Sequence, residues 1–257
     1  MIHPTAIIDP KAELADDVSI GAYSVIGANV HIDSATVIGP HVVIEGPTKI
    51  GKNNRIFQFA SIGAMPQDKK YAGEDTWLEI GDNNTIREFV TFNRGTVQDG
   101  GVTKIGDDNW IMAYCHLAHD CIVGSHTVFA NNASLAGHVH IGDYVILGGY
   151  ALVYQFVHIG DYSILAFSSG VKQNVPPFSM VSGMPAKASG INMEGLRRHQ
   201  FAQTEIEAIK SAFRYLYREN LLLSEAREKI NQLAAQSDAV SKIAVFLTET
   251  GKRGLIR

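Results

Sequence analysis

The stretch LAHDCIVGSH, residues 117–126, places His119 beside Asp120, with His116 just upstream. A histidine next to an aspartate can be a general base oriented by a carboxylate, a metal ligand, or one of two solvated side chains on a turn. Together with His138 and His140, these histidines would supply enough imidazoles for a zinc site. The choice depends on where the backbone places these side chains.

Composition excludes several classes of protein. The 257 residues carry a net charge of −4, which is not the basic signature of a nucleic-acid-binding protein. No run of 18 apolar residues predicts a membrane span, and the first residues lack the basic and apolar regions of a signal peptide. The two cysteines do not imply a disulfide framework. We therefore expect a soluble, cytoplasmic protein that does not bind nucleic acid.

The charge is distributed unevenly along the chain. Residues 187–257 contain 12 basic and 8 acidic side chains, whereas residues 1–186 contain 10 basic and 18 acidic ones. A mildly basic tail on an acidic body weakly favours an acidic binding partner for the tail.

An apolar residue recurs at every sixth position, and we call these residues anchors. The first series, Ile2 to Ile62, is aliphatic throughout, and a second unbroken series runs from Ile105 to Val171. The residue four positions after an anchor is usually small or β-branched, and glycine often follows the anchor. Neither a helix nor a plain strand has this period, whereas a short strand followed by a turn does. The repeat predicts a mainly β fold, a parallel β-helix in which three hexads close one triangular coil of 18 residues.

Two polar segments interrupt this repeat, at residues 63–79 and 93–104. Long insertions on a regular solenoid usually lie on one face and often bind a ligand, although an ordinary surface loop is the alternative. We expect the β-helix, its loop insertions and a connector to occupy residues 1–190. An α-helical domain is expected at residues 191–257.

The helical domain is predicted from local signals. Thr204 and Glu207 have the spacing of a capping box at a helix start. The segments 224–236 and 238–251 have helical periodicity, and Gly251 is expected to end the last helix.

Coil geometry converts sequence spacing into spatial neighbours. Residues 18 apart stack on adjacent coils, so His119 should lie below Gly137, and Gly137 below Gln155. Asp120 should likewise lie below His138. Because these positions follow an anchor by two or three residues, they fall on one outer ribbon. Their convergence favours a functional site over an isolated exposed histidine.

The cysteines occupy core positions in this scheme. Cys115 and Cys121 lie where other hexads have Ala, Ser, Thr or Val, so we expect buried packing residues and not nucleophiles. Any acyl transfer should then be direct. A zinc site remains the competing hypothesis, since gamma-type carbonic anhydrases are hexapeptide-repeat proteins. Asp120 and Gly137, placed to support a base and an oxyanion, argue against it, and we expect no metal and no cofactor.

The motifs QDKKY, RGTVQ, HLAHDC, NNASLAGHV, YQF, INMEGLRR and RGLIR resemble, in their order and spacing, the UDP-N-acetylglucosamine O-acyltransferase family. The resemblance covers almost the whole chain and implies a left-handed β-helix. Family members start lipid A biosynthesis by moving a 3-hydroxyacyl group from acyl carrier protein to the glucosamine 3-hydroxyl of UDP-N-acetylglucosamine. They are homotrimers with active sites between the prisms, and the basic tail would meet the acidic carrier protein.

The resemblance also implies roles for individual residues. His119 matches the general base, Asp120 its supporting carboxylate, and the Gly137 amide the oxyanion donor. Phe167 matches the position that limits acyl-chain length. The positions matching substrate-contacting residues are Asp68, Lys70, His116, His138, Tyr154, Gln155, Asn192, Glu194 and Arg198.

Two positions depart from the family pattern, because Asn93 and Tyr154 stand where histidine is usual. Both are expected near substrate, which leaves acceptor binding open. The acceptor could be a 3-amino sugar, as in some relatives. A non-catalytic paralogue that binds acyl carrier protein is a further alternative, against which the intact His119, Asp120 and Gly137 argue.

Overall fold

The computed structural model describes residues 1–249, 251 and 253–257. Most of the chain up to residue 191 forms strands of two to five residues joined by short turns. In chain order the strands are β1 Ile7–Ile8, β2 Glu13–Leu14, β3 Ser19–Ile20, β4 Val25–Ile26, β5 Val30–Ile32, β6 Val37–Ile38, β7 Val43–Ile44, β8 Thr48–Ile50, β9 Arg55–Ile56, β10 Ser61–Ala64, β11 Trp77–Ile80, β12 Thr85–Ile86, β13 Thr91–Asn93, β14 Val102–Ile105, β15 Trp110–Ile111, β16 His116–Leu117, β17 Ile122–Val123, β18 Val128–Phe129, β19 Ser134–Leu135, β20 His140–Ile141, β21 Ile146–Leu147, β22 Leu152–Val153, β23 His158–Ile159, β24 Ile164–Leu165, β25 Gly170–Val171, β26 Ser179–Ser182 and β27 Lys187–Ile191.

Every third strand belongs to the same sheet, so the chain winds around a triangular prism. The first sheet runs β1, β4, β7 and onward to β25, and the second runs from β2 to β23. The third runs from β3 to β24 and is extended by β26 and β27. Pairing between coils is parallel, and only β26 and β27 pair antiparallel within the described strands. Anchors lie in register, as in the pairing of Ile26 with Ile44. The parallel β-helix predicted from the six-residue repeat is therefore present.

The three edges of the prism are its corners. Corner I is the turn from the first to the second sheet, for example residues 118–121. Corner II leads from the second to the third sheet, as at residues 124–127, and corner III leads back to the first sheet, as at residues 130–133.

In most of the two-residue strands the first side chain points outward and the anchor points inward. In β6, Val37 is 45% exposed and Ile38 only 2%. The anchors and the small corner residues, including Cys115 and Cys121, form one continuous buried core. Aliphatic burial of this kind is the main source of the prism's stability.

The two ends of the core differ. At the N-terminal end, Ile2 is 47% exposed and Ile8 and Leu14 are only half-buried. At the other end, Leu255 pairs with Asn174, and Ile256 is buried in the prism core. The end of the chain thus covers one end of the prism.

The C-terminal residues form helices α1 Met193–Arg198, α2 Gln203–Tyr217, α3 Leu223–Ala234 and α4 Asp238–Glu249. They pack around a second buried cluster, which Phe178 of the connector joins. The capping-box prediction is wrong: α2 starts before Thr204, and its N-cap residue Ala202 makes no side-chain bond. The predicted last helix extended to Gly251, but Thr250 lies outside the described residues. In the part of the chain that the structure describes, no helix has the length and apolar character required to span a bilayer.

The two residues of β6 provide a test of the inward anchor. Ile38→Ala should lower the free energy of unfolding by about 2–5 kcal/mol, because it leaves a cavity in a close-packed core. Val37→Ala, one residue away on the outer face, should change it by about 0.5 kcal/mol or less. Chemical denaturation monitored by circular dichroism measures both values. Equal effects of the two substitutions would contradict the alternation of inward and outward side chains.

Candidate active site

Corner I collects the features that the sequence singled out. The loop of residues 65–76 joins β10 to β11, and the loop of residues 94–101 joins β13 to β14. His119 lies in the next turn of the same corner, between β16 and β17. Both loops and the histidine therefore lie at the same edge of the prism, so their side chains can contribute to one site.

His119 and Asp120 are paired directly. The Nδ1 atom of His119 lies 2.7 Å from Oδ2 of Asp120, so the ionised carboxylate accepts a hydrogen bond from Nδ1–H and the Nε2 lone pair is left free. Burial acts to raise the pKa of Asp120, but hydrogen bonds from His119 and Thr96 outweigh it and hold that pKa below its ordinary value. The carboxylate is thus charged and fixed behind the imidazole.

The loop of residues 94–101 supports this carboxylate. The backbone N–H of Thr96 donates to Oδ1 of Asp120 at 2.7 Å, and its hydroxyl donates to Oδ2 at 2.6 Å. The backbone N–H of Asp120 donates to the Thr103 hydroxyl at 2.8 Å. Sequence reasoning missed both threonines. Thr96 lies in an insertion, where residue spacing does not predict spatial neighbours, and Thr103 lies in β14 at a buried position whose hydroxyl partner the repeat does not specify.

Gly137 lies directly over the imidazole, as the 18-residue spacing predicts. A Cβ atom at this position would come within 2.7 Å of Cε1 and 2.8 Å of Nε2 of His119, so only glycine fits without displacing the ring. Within the described residues the Gly137 N–H donates to no acceptor. The free N–H of Gly137 therefore lies next to the free Nε2 of His119.

Two further histidines flank this pair. His138 stacks on Phe156 with ring centroids 4.3 Å apart and meets His119 edge-on at 5.0 Å. Nδ1 of His116 lies 2.7 Å from the Thr91 hydroxyl. Burial lowers the pKa of His116, with a smaller contribution from nearby His119. His116, His119 and His138 are thus brought together at corner I.

The next coil contributes Tyr154 and Gln155, which are exposed at corner I. The guanidinium of Arg253 lies 4.5 Å from the Tyr154 ring centroid, and its Nε donates to the Gln155 carbonyl at 2.8 Å. The end of the chain therefore reaches the upper part of the site, a contact that sequence analysis did not predict.

The first loop brings Asp68 and Lys70 to corner I, where the Lys70 N–H donates to the Asp68 carboxylate at 3.0 Å. The Asn93 side chain is buried, and its amide nitrogen donates to the Met65 carbonyl at 3.1 Å, so it links β13 to the first loop. The expectation that Asn93 lies near substrate stays a prediction.

Four predicted site residues lie elsewhere on the same chain. Asn192 caps α1 by accepting from the Gly195 N–H at 2.8 Å, and it also donates to the Tyr162 carbonyl at corner II. Glu194 and Arg198 form an exposed ion pair on that helix. Phe167, 70% exposed, lies at corner III. A single prism does not unite these residues with His119.

His119, Asp120 and His138 form a cluster whose ligand atoms all lie within 4.8 Å of one another, as a divalent metal would require. The Nδ1 atoms of both histidines are bonded to carboxylates, and the Asp120 oxygens accept from Thr96 and His119. The two Nδ1 atoms and the Asp120 oxygens are thus engaged in hydrogen bonds, whereas the Nε2 atoms of both histidines have no such partner within the described residues.

Cys115 and Cys121 are fully buried, as predicted. Burial raises the pKa of both thiols to about 12, so neither supplies a thiolate at neutral pH. This favours direct transfer over a covalent thioester intermediate on these cysteines.

Comparison with known proteins gives consistent matches. The family described as "Udp N-acetylglucosamine O-acyltransferase; Domain 2" matches residues 174–256, and the bacterial transferase hexapeptide family matches residues 103–137. The acyl-[acyl-carrier-protein]–UDP-N-acetylglucosamine O-acyltransferase of Herminiimonas arsenicoxydans is 54% identical over 261 residues, and the same enzyme of Neisseria gonorrhoeae is 58% identical over 257. Each alignment covers 100% of this chain and 99% of the relative.

A solved structure agrees in shape as well. The crystal structure of UDP-N-acetylglucosamine O-acyltransferase from Moraxella catarrhalis matches with a TM-score of 0.98 and 48% identity, over 100% of this chain and 99% of that one. The predicted fold class, a left-handed parallel β-helix of hexapeptide repeats with a C-terminal helical region, is confirmed.

Proposed function

The chain belongs to the UDP-N-acetylglucosamine O-acyltransferase family, and on this premise we propose that it transfers a 3-hydroxyacyl group from acyl carrier protein to the 3-hydroxyl of UDP-N-acetylglucosamine. This reaction would be the first step of lipid A biosynthesis. The observation that carries the proposal for this chain is the arrangement of His119, with Nδ1 held by Asp120 and Nε2 free beside the Gly137 amide.

His119 acts as the general base. A sugar hydroxyl is a poor nucleophile at neutral pH, and Nε2 of His119 takes its proton as the oxygen attacks the thioester carbonyl. The positive charge that forms on the imidazole is stabilised by Asp120, whose carboxylate is held ionised by Thr96. The same imidazolium then returns its proton to the departing carrier thiolate as the C–S bond breaks.

The thioester oxygen becomes negatively charged in the tetrahedral intermediate. The unpaired Gly137 N–H is positioned by the coil before the reaction and donates to that oxygen. Because the Gly137 position excludes a Cβ atom, the acyl carbon can approach both the amide and the imidazole nitrogen.

The complete site requires a second subunit. Asn192, Glu194 and Arg198 lie at corner II, and His119 lies at corner I, so a homotrimer of side-by-side prisms unites them. Arg198 suits the diphosphate, because its planar guanidinium binds two oxygens at once. The basic tail faces the acidic acyl carrier protein. Since the nucleotide sugar and the carrier-bound donor are water-soluble, this proposal includes a cytoplasmic location.

The relatives' names favour acyl transfer over the zinc-dependent, carbonic-anhydrase-type alternative. No metal takes part in the reaction that we propose. A non-catalytic paralogue that only binds acyl carrier protein would not require the buried Asp120 carboxylate behind His119. It would also not require glycine at position 137. The 3-amino acceptor remains the second candidate, because Tyr154 replaces the family's usual histidine at the site.

His119→Ala should lower kcat by on the order of 10²–10⁴, because the base is lost while the outward-facing side chain leaves the core intact. The assay uses UDP-N-acetylglucosamine with a panel of acyl carrier protein thioesters, and circular dichroism checks the fold. His31→Ala, which alters a half-buried histidine on the second sheet, is the control. Stoichiometric zinc in the purified protein, with activity lost on chelation, would replace this mechanism with the metal hypothesis.

Mixed trimers test the shared site. His119→Ala and Arg198→Ala should each be nearly inactive alone, whereas their co-expressed mixture should recover about a quarter of wild-type activity, the share of interfaces with both residues intact. Differently tagged chains allow trimers that contain both variants to be purified, and these should reach about a third of wild-type activity, because one of their three interfaces is intact. Light scattering gives their mass. A mixture no more active than the better single variant, or an active monomer, would place the whole site within one chain.

Phe167 is proposed to limit acyl-chain length. Its exposed ring lies over Gly149, where a Cβ atom would come within 3.2 Å of it, so it is a bulky group on the surface of corner III. Each methylene that finds no pocket forgoes about 0.8 kcal/mol of burial. Phe167→Gly should therefore shift kcat/KM toward longer donors and leave the affinity for UDP-N-acetylglucosamine unchanged. If wild type and variant show the same dependence of kcat/KM on acyl-chain length, Phe167 is a packing residue and does not limit the chain.

A further inference from the structure

A second imidazole–carboxylate pair lies beside the first. Nδ1 of His138 is 2.8 Å from Oδ2 of Asp99, a residue of the loop of residues 94–101. The His138 side chain is only 11% exposed, whereas that of Asp99 is 52% exposed. Neither the sequence pattern nor the function described above assigns a role to Asp99.

The pairing determines the tautomer of His138. An ionised carboxylate can only accept a hydrogen bond, so Nδ1 must carry the proton and Nε2 presents a lone pair. Stacking on Phe156 fixes the plane of the ring. Oδ2 of Asp120 lies further from Nδ1, at 3.7 Å, and it already accepts from His119 and Thr96. Asp99 is therefore the partner that holds His138.

Asp99 is itself held by its loop. Its backbone N–H and that of Gly101 both donate to the Thr96 carbonyl, at 3.2 and 3.0 Å. Gly100 and Gly101 have φ angles of +80° and +78°, which glycine adopts without the strain of a side chain and which let the chain turn back toward β14. One short loop thus holds both carboxylates of the site, directly for Asp99 and through Thr96 for Asp120.

We propose that Asp99 is a positioning residue that keeps His138 in the Nδ1–H tautomer, so that Nε2 of His138 accepts a hydrogen bond from a substrate hydroxyl beside His119. The inference rests on the proposed function, which brings hydroxylated substrates to corner I. It assigns the two neighbouring imidazoles different tasks. His119 removes a proton, and His138 selects a hydroxyl group and orients it.

Kinetics of Asp99 variants test this role. Asp99→Asn keeps the size of the side chain but replaces the carboxylate with a neutral amide, which can either donate to Nδ1 or accept from it, so the preference for the Nδ1–H tautomer is weakened. It should lower kcat/KM by on the order of tenfold, the effect of one lost hydrogen bond to substrate. Asp99→Glu should recover part of the loss. In a His138→Ala background, Asp99→Asn should have no further effect, because the residue through which it acts is gone.

Nitrogen-15 NMR of the His138 ring supplies a readout that does not depend on catalysis. The wild type should show a protonated Nδ1 and an unprotonated Nε2, and Asp99→Asn should shift both signals toward the opposite tautomer. The signals of His119 should stay unchanged. Glu13→Gln, which alters an exposed carboxylate 3.1 Å from His31 on the second sheet, is the matched control and should change neither the kinetics nor the His138 signals.

Two results would overturn the proposal. One is an Asp99→Asn effect on kcat/KM that persists in full in the His138→Ala background. The other is a set of His138 nitrogen signals that Asp99→Asn leaves unaltered. A wild-type protein that transfers no acyl group from any thioester would instead refute the proposed function, and the nitrogen signals would still decide whether Asp99 sets the tautomer.

Discussion

Backbone hydrogen bonds between successive coils are the constraint on which the site depends. The His138 N–H donates to the His119 carbonyl at 3.0 Å, and the Phe156 N–H donates to the Gly137 carbonyl at 3.1 Å. These bonds fix the height of each coil over the one below, so Gly137 must lie over the His119 ring. The free Gly137 amide and the free Nε2 of His119 are neighbours because these backbone hydrogen bonds hold the two coils in a fixed register.

The backbone hydrogen bonds between coils set the distances between the site residues, and the loop of residues 94–101 stabilises or supplies the negative charges beside the imidazoles. The Asp120 carboxylate is buried, where an unpaired charge would be costly, and Thr96 supplies two of the hydrogen bonds that keep it ionised. The same loop supplies Asp99 to His138. A rigid repeat thus carries the imidazoles, and an insertion in that repeat determines their electrostatic environment.

Sequence analysis succeeds where the hexad rule applies. It predicts the inward anchors, the burial of Cys115 and Cys121, and the stacking of Gly137 on His119, since each follows from position within a coil. It misses Thr96 and Asp99, because an insertion has no fixed register relative to the coils. The inward orientation of Asn93 and the capping role of Asn192 also depend on backbone groups of distant segments, which residue types alone do not locate.

The unequal ends of the prism have a consequence for local fluctuations. In a linear array each coil is stabilised mainly by its two neighbours, so unfolding proceeds most readily from a terminal coil that has only one. The half-buried anchors Ile8 and Leu14 mark the N-terminal coil as that weak point, whereas Ile256 and the helices close the opposite end. The site lies in the coils nearer the closed end. Local opening of the first coils therefore stays several coils away from His119. The geometry around the imidazole is kept while those first coils open and close.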